Sequence, residues 1–504
     1  MAALSPELRD LQTEILGYAE EFGLDCFTTY FEMVDYRQMC EIASYGGFPV
    51  RYPHWRFGME YDHMLKSHTY GLSKIYELVI NTDPCYAYLL EGNSRVDQKL
   101  VMSHVYGHCD FFKNNSFFAH TDRRMIDVMA NNAARVRRYM DRHGVSPVES
   151  FIDTCLAIDN LIDPWAPLRE PSRETKTSAA ATDDDPKDVD VGRLPSVRGY
   201  LESYINPPEL LAAERARRRE EEEAQRRRVP QSPERDVLGF LIKHAPLELW
   251  EADVLGIIRE EAYYFLPQMQ TKIMNEGWAS YWHSKIMTTR ALRDAEVIDY
   301  ADACAGVMST APGQLNPYKI GIELFRDIEE RWNTGRFGKE YEECDSLAER
   351  ASWDRKLGKG KEKIFEVRRL YNDVTFLDEF FTEDFARQHK FFTFRENRRS
   401  GRYEIEGREF AKIKGKLLSQ LTNFGQPFIY VIDANHLNRG ELLLGHRHEG
   451  TDLRLDYARD TLRALERIWR RPVSILTVVD ERPKRLRFDG AEISVTDEPA
   501  AFSL

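Results

Sequence analysis

The chain has 504 residues, of which 42% are hydrophobic and 30% are charged, and its formal net charge is −13 at pH 7. A chain of this length predicts about two to four domains. Its acidic balance disfavours nucleic acid or an anionic membrane surface as the partner of the whole chain.

Two further sequence features bear on the compartment. The seven cysteines are odd in number and scattered, which is typical of free thiols under reducing conditions. The N-terminal residues Met1–Leu8 lack a basic segment followed by an apolar one, and no apolar run approaches the roughly 20 residues that span a bilayer. We therefore expect a cytoplasmic protein without a membrane span.

Helical patterns dominate the chain up to about residue 400. Ser5 followed by Pro6 predicts the start of a helix that extends to residue 23, because serine caps helices and proline fits their first position. Further helices are predicted over residues 95–112, 121–142, 146–162 and 251–292. These patterns predict a mainly α N-terminal domain.

The composition changes between residues 169 and 235. This stretch is poor in large apolar residues and contains the charge runs Asp183–Asp185 and Arg217–Glu223. Such a segment buries too little apolar area to offset the entropy lost on ordering. We predict a disordered charged insertion over 169–235, within a helical core domain formed by residues 1–168 and 236–400.

The pattern becomes mixed after residue 400. Predicted elements are the strands Pro427–Asp433 and Glu441–His446, the helix Leu455–Arg470, and the strands Val473–Val479 and Arg485–Phe488. The first two strands are separated by a short turn, which predicts a hairpin. Residues 401–504 therefore predict a small α+β C-terminal module.

Two stretches carry the residues most suited to chemistry. His104 and His108 stand four apart in a predicted helix, so they share one face and can bind one metal ion. Glu276 and His283 also share a helical face, two turns apart. Glu276 completes a His/His/Glu set, and His283 is either a fourth ligand or an acid near the metal. We expect a divalent metal, with zinc as the first choice.

The pattern departs from a standard zinc hydrolase at one position. The His-Glu-x-x-His motif places a general base after the first histidine, and here that position is Val105. The candidates for a catalytic base elsewhere are, in order, Glu261, Glu260 and Asp110. The alternative is that the two histidines are satisfied core residues and the glutamate is a buried hydrogen-bonding carboxylate.

Several motifs together resemble the SpoVR family, named after stage V sporulation protein R. They are Tyr52–Gly58, Val79–Cys85, His104–Asn115, Asn275–His283, and Asn435 with Arg439–Leu442. The segment Glu276–Tyr281 also resembles the helix that supplies the third metal ligand in some zinc peptidases. The expected fold is thus a mainly α N-terminal domain with a zincin-like helix pair, plus the small α+β module. Cys109–Asp110 stands where many family members look like Asn-Ser. This difference weakens the case for Asp110 as an essential base.

The resemblance also implies a biological setting. It implies a role in spore cortex formation in spore formers, and a stress-linked module with a PrkA-type serine kinase and a von Willebrand-like partner in other bacteria. We predict a metal-dependent hydrolase that cuts an amide in a peptide or cell-wall precursor. The alternative is a non-catalytic scaffold that acts with the kinase. A nucleic-acid binder is the third hypothesis, which the net charge disfavours.

Overall fold

The computed structural model describes residues 2–69, 77–169, 228–309, 314–397 and 402–498, with a few positions between 207 and 217. The charged insertion predicted over 169–235 lies mostly outside the described residues. Among the residues described, no helix combines the length and the apolar character that crossing a membrane requires.

α-Helices make up most of the described chain before residue 422. The first helices in chain order are α1 (Pro6–Glu21), α2 (Tyr36–Ser44), α3 (Trp55–Thr69), α4 (Arg95–Asn114), α5 (Met125–His143), α6 (Val145–Leu156), α7 (Val237–His244), α8 (Leu249–Gln270) and α9 (Lys272–Ile286). They continue with α10 (Val297–Met308), α11 (Pro317–Thr334), α12 (Lys339–Glu342), α13 (Leu347–Ala351), α14 (Gly360–Leu370), α15 (Asp373–Phe380), α16 (Glu383–Gln388), α17 (Phe410–Leu421) and α18 (Leu455–Trp469). The mainly α prediction for this region is confirmed.

The β-strands of the described residues fall into three sheets. In chain order they are β1 (Ala2–Ala3), β2 (Thr29–Val34), β3 (Glu77–Ile80), β4 (Cys85–Leu90), β5 (Thr393–Asn397), β6 (Arg402–Gly407), β7 (Phe428–His436), β8 (Glu441–Arg447), β9 (Val473–Val479), β10 (Arg482–Phe488) and β11 (Ile493–Asp497). The first sheet has the order β1-β2-β4-β3, in which β2 and β4 are parallel and the other pairs antiparallel. This mixed sheet adds a β-layer to the predicted helical region.

The described chain forms two compact units, each built from two separate stretches. The first comprises the described parts of Met1–Ser150 and Glu260–Gln426, and the second those of Phe151–Arg259 and Pro427–Leu504. The sequence-based division places 151–168 and 236–259 with the core domain and 401–426 with the C-terminal module. Long-range contacts account for the difference: Phe410 stacks on Phe381 at 5.8 Å between ring centroids, and Glu234 forms a β-bridge with Val431.

The second unit contains the predicted α+β module. Its sheet has the order β11-β10-β9-β8-β7, and β7 and β8 form the predicted antiparallel hairpin. Helix α18 connects β8 to β9, which pair in parallel, and it buries an apolar face with Leu462, Leu465 and Ile468. The sequence patterns do not predict β11, because its side chains are mostly exposed and it lacks a strong hydrophobic signal.

Capping interactions explain where α4, which carries the two histidines, and α9, which carries Glu276, begin. The Ser94 hydroxyl accepts a hydrogen bond from the backbone N–H of Asp97 at the start of α4, and the Asp97 carboxylate accepts one from the backbone N–H of Ser94. At the start of α9, Asp373 from α15 accepts hydrogen bonds from the backbone N–H groups of Ile273 and Met274, at 2.8 and 2.9 Å. A distant side chain therefore caps α9.

Helix α9 packs closely against helices on two of its sides. A Cβ atom at Gly107 of α4 would lie 2.6 Å from Cα of Ala279, and one at Gly277 would lie 2.5 Å from Cα of Gly321 in α11. Both distances are shorter than real Cβ contacts, so both positions require glycine for the observed helix separations. The prediction that Gly277 allows close helix approach is confirmed.

We expect Gly277→Ala to lower the free energy of unfolding by about 1–3 kcal/mol, because its methyl group would overlap backbone atoms of α11 that cannot move aside locally. Urea titration of the purified protein measures the change. The matched control is Gly17→Ala in α1, where nothing lies within 4 Å of the added Cβ. That change should stabilise by about 0.5–1 kcal/mol. Equal effects of the two substitutions would contradict the packing argument.

Candidate metal centre

His104, His108 and Glu276 meet where α4 packs against α9. All three residues are buried, with exposed fractions of 3%, 5% and 5%. One ligand atom from each lies within 4.8 Å of the other two. Oε2 of Glu276 is 3.4 Å from Nε2 of His104 and 3.5 Å from Nε2 of His108. The structure thus brings together the three residues predicted as a His/His/Glu set.

Nδ1 of each histidine, the ring nitrogen that does not face Glu276, lies within hydrogen-bond distance of a residue on α9. His108 Nδ1 lies 2.9 Å from Oδ1 of Asn275, and His104 Nδ1 lies 2.9 Å from Nδ1 of His283. An amide oxygen only accepts hydrogen bonds, so a neutral His108 carries its proton on Nδ1 and its lone pair on Nε2, the atom that faces Glu276. Histidines that bind metals are commonly oriented by such a second hydrogen bond.

Burial and neighbouring charges set the protonation of the site. Burial lowers the pKa of His108 to about 4, although the charge of Glu276 acts in the opposite direction. Burial alone would raise the pKa of Glu276, but His108, His104 and Lys272 outweigh it and hold that pKa well below its usual range. At neutral pH the site therefore presents a neutral imidazole at His108 and an ionised carboxylate at Glu276.

The two oxygens of Glu276 have different surroundings. Oε1 accepts a hydrogen bond from Nζ of Lys272, whereas Oε2 is buried and has no hydrogen-bond partner among the described residues. Burying such an oxygen without a partner is unfavourable, and a cation between it and the imidazole nitrogens would compensate. The residues present therefore fit a divalent cation, and two imidazoles with one carboxylate suit zinc. That the site binds a metal ion, and which ion it is, both stay predictions.

His283 lies on the side of the His104 ring that is turned away from Glu276. Its Nδ1 faces His104, and its Nε2 lies 4.0 Å from Sγ of Cys304 in α10. Burial lowers the pKa of His283 well below its ordinary value, so this ring is neutral. Both ring nitrogens of His283 thus face residues other than Glu276. This position suits a residue that orients the His104 ring better than it suits a fourth metal ligand.

The structure places Glu261 and Glu260 in other hydrogen-bond networks. Glu261 is buried and accepts a hydrogen bond from Arg51, with the hydroxyl of Tyr52 at 3.5 Å. Oε2 of Glu260 lies 3.5 Å from Nδ2 of Asn132. None of these partners belongs to the histidine–glutamate cluster. The role predicted for the two glutamates as catalytic bases stays a prediction.

Asp110 is the third predicted base, and it too has partners of its own. Its carboxylate accepts hydrogen bonds from the backbone of Asp25 at 2.8 Å and from Nε1 of Trp278 at 2.7 Å, and it pairs with Arg368 at 3.1 Å. Burial raises the pKa of Asp110 to about 6, against the opposing charge of Arg368. These bonds join α4 to α9 and α14. The role predicted for Asp110 as a catalytic base stays a prediction.

The sequence patterns assign no role at the site to Lys272, Asn275 or Tyr318. Lys272 stands four residues before Glu276, a spacing at which lysine and glutamate side chains commonly pair, so its contact was accessible from sequence. Asn275 was seen only as part of a motif. Tyr318 of α11 stacks on His104 with ring centroids 6.1 Å apart, and no sequence pattern links these two residues.

We expect the purified protein to bind about one zinc ion per chain, and His104→Ala and Glu276→Gln to lose it, because each change removes a ligand atom from the cluster. Asn275→Ala should weaken binding by about 10- to 100-fold by releasing the His108 ring. Metal analysis after dialysis and competition with a chromogenic chelator measure both effects. The control is His120→Ala, an exposed histidine that should leave binding unchanged. Stoichiometric metal that survives in His104→Ala would contradict this assignment.

Comparison with known proteins identifies the family of this chain. The family model described as "SpoVR like protein" matches residues 3–426, and this match ends where the first unit ends. "Uncharacterized protein YcgB" of Escherichia coli (strain K12) is 30% identical over 429 residues, which cover 81% of this chain and 79% of that protein. No solved structure matches the chain. The chain belongs to the SpoVR family.

Proposed function

We propose that this SpoVR-family protein is a metal-dependent hydrolase that cuts an amide in a peptide or cell-wall precursor. The observation that carries the proposal is the buried cluster of His104, His108 and Glu276. In this cluster Oε2 of Glu276 has no hydrogen-bond partner among the described residues. A buried carboxylate oxygen that faces two imidazole nitrogens is an arrangement suited to a cation.

A zinc ion held there would supply a Lewis acid that polarises a carbonyl group and activates water. The chain's own residues prepare the site for it. Asn275 and His283 fix the planes of the two imidazole rings, and Lys272 occupies Oε1 of Glu276 so that Oε2 remains directed at the histidines. Burial of the three ligand side chains strengthens the electrostatic interactions among them.

The family gives the proposal its biological direction. SpoVR proteins take their name from sporulation, and the resemblance implies a role in formation of the spore cortex. An amide in a cell-wall precursor is a substrate that fits both this setting and the chemistry of the site. The proposed substrate class therefore rests on the family, whereas the proposed reaction type rests on the donor set.

A second candidate is a non-catalytic scaffold that acts with a PrkA-type serine kinase and a von Willebrand-like partner. One observation favours it: Glu261, Glu260 and Asp110 all bond to partners outside the histidine–glutamate cluster. A metal centre to which none of these three residues is directed suits a structural ion as well as a catalytic one. In that case the ion would join α4 to α9 and stabilise the fold.

We expect the zinc-loaded protein to release amines from a panel of peptides and cell-wall fragment peptides, with loss of release after chelation and recovery when zinc is restored. Glu276→Gln should reduce hydrolysis to background because it removes a charged ligand. Detection of new amino groups by a fluorogenic reagent measures the reaction, and His120→Ala serves as control. Metal-loaded protein that leaves the whole panel intact would speak against hydrolysis.

A second experiment separates the scaffold from the enzyme. The double variant His104→Ala with His108→Ala is expressed in place of the natural protein, and both kinase co-purification and stress survival are measured. We expect survival to fall to the level of a deletion strain, even if the kinase still co-purifies, because the proposed chemistry needs both ligands. Full survival in this variant would favour the scaffold and contradict the hydrolase.

A further inference from the structure

Lys272 connects the buried candidate metal centre with solvent. It is the first residue of α9, one turn before Glu276, and its Nζ donates a hydrogen bond to Oε1 of that residue. Its side chain is 57% exposed, whereas the side chain of Glu276 is 7% exposed. One cationic side chain thus reaches both a proposed metal ligand and the surrounding water.

A surface lysine that pairs with a glutamate one turn away is common, and it usually indicates only a solvated helix. Two features distinguish Lys272 from that case. Its partner Glu276 is buried, and the other oxygen of that partner faces two histidines. The same helix offers a comparison in Lys285, whose Glu329 partner lies outside the histidine–glutamate cluster.

The local charges favour an anion beside Lys272. Nζ of Lys272 donates a hydrogen bond to Oε1 of Glu276, and Oε2 of the same carboxylate lies 3.4 and 3.5 Å from the imidazole nitrogens of His104 and His108, so the positive charge of Lys272 is one carboxylate group away from the centre of the cluster. A divalent ion bound to one ionised carboxylate and two imidazoles retains net positive charge, and Lys272 adds to it. A lysine ammonium has three N–H donors, so Nζ can bind an incoming anion while it keeps its bond to Glu276.

We propose that Lys272 binds a carboxylate of the substrate, so that the protein acts on amides that carry a carboxylate close to the bond that reaches the metal. This inference rests on the metal centre proposed above and specifies its substrate class. The role of Lys272 is to bind the substrate. The ammonium would fix the anionic end of the substrate at the exposed edge of the site, and the adjoining amide would extend inward to His104, His108 and Glu276.

The test uses the full-length protein loaded with cobalt(II), whose visible absorption changes when a ligand reaches the metal. Two probes are titrated: acetohydroxamate, which has no carboxylate, and the monohydroxamate of succinate, which has one. We expect the natural protein to prefer the carboxylated probe. Lys272→Met should reduce that preference by about 10-fold or more, because it removes a charge-assisted hydrogen bond.

Two matched variants complete the design. Lys285→Met removes a lysine from the same helix and should keep the preference, and Lys272→Arg should keep most of it because the positive charge remains. Thermal melts establish that each variant is folded. If Lys272→Met weakens both probes equally, Lys272 acts only through Glu276, which overturns the inference and leaves the metal centre intact. If cobalt does not bind the natural protein, both the centre and the inference are wrong.

Discussion

The close crossing of α4 and α9 is the constraint on which the candidate site depends. His104 and His108 lie on α4 and Glu276 on α9, so their ligand atoms converge because these two helices pack closely. Gly107 lies between the two histidines on α4 and contacts Ala279, which is one turn from Glu276 on α9. The backbone contact and the ligand cluster therefore belong to one crossing, and a side chain at Gly107 would separate the ligands as well as the helices.

The position of α9 is also fixed by contacts outside this crossing. Gly277 packs against Gly321 of α11, and Asp373 binds the first N–H groups of the helix. Trp278 on α9 donates to Asp110 of α4, which adds a polar bond to the same helix pair. Preorganised ligand geometry of this kind comes from packing around the site, because surface salt bridges alone contribute little rigidity.

Sequence patterns predicted the features that depend on local periodicity. The cap at Ser5, the shared face of His104 and His108, and the C-terminal hairpin all follow from residue spacing over a few positions. Sequence patterns paired Glu276 with the two histidines, but they did not reveal that Glu261 lies in a separate hydrogen-bond network, because its partner Arg51 is about 210 positions away. The grouping of residues into two units also depends on pairings between distant stretches, which no periodicity encodes.

The cap that Asp373 provides has a consequence for biosynthesis. It reaches the start of α9 from about 100 residues further along the chain. During translation, all three proposed ligands leave the ribosome well before this aspartate does, so α9 lacks its N-terminal anchor at that stage. Stable formation of the His104–His108–Glu276 cluster should therefore follow synthesis of α15.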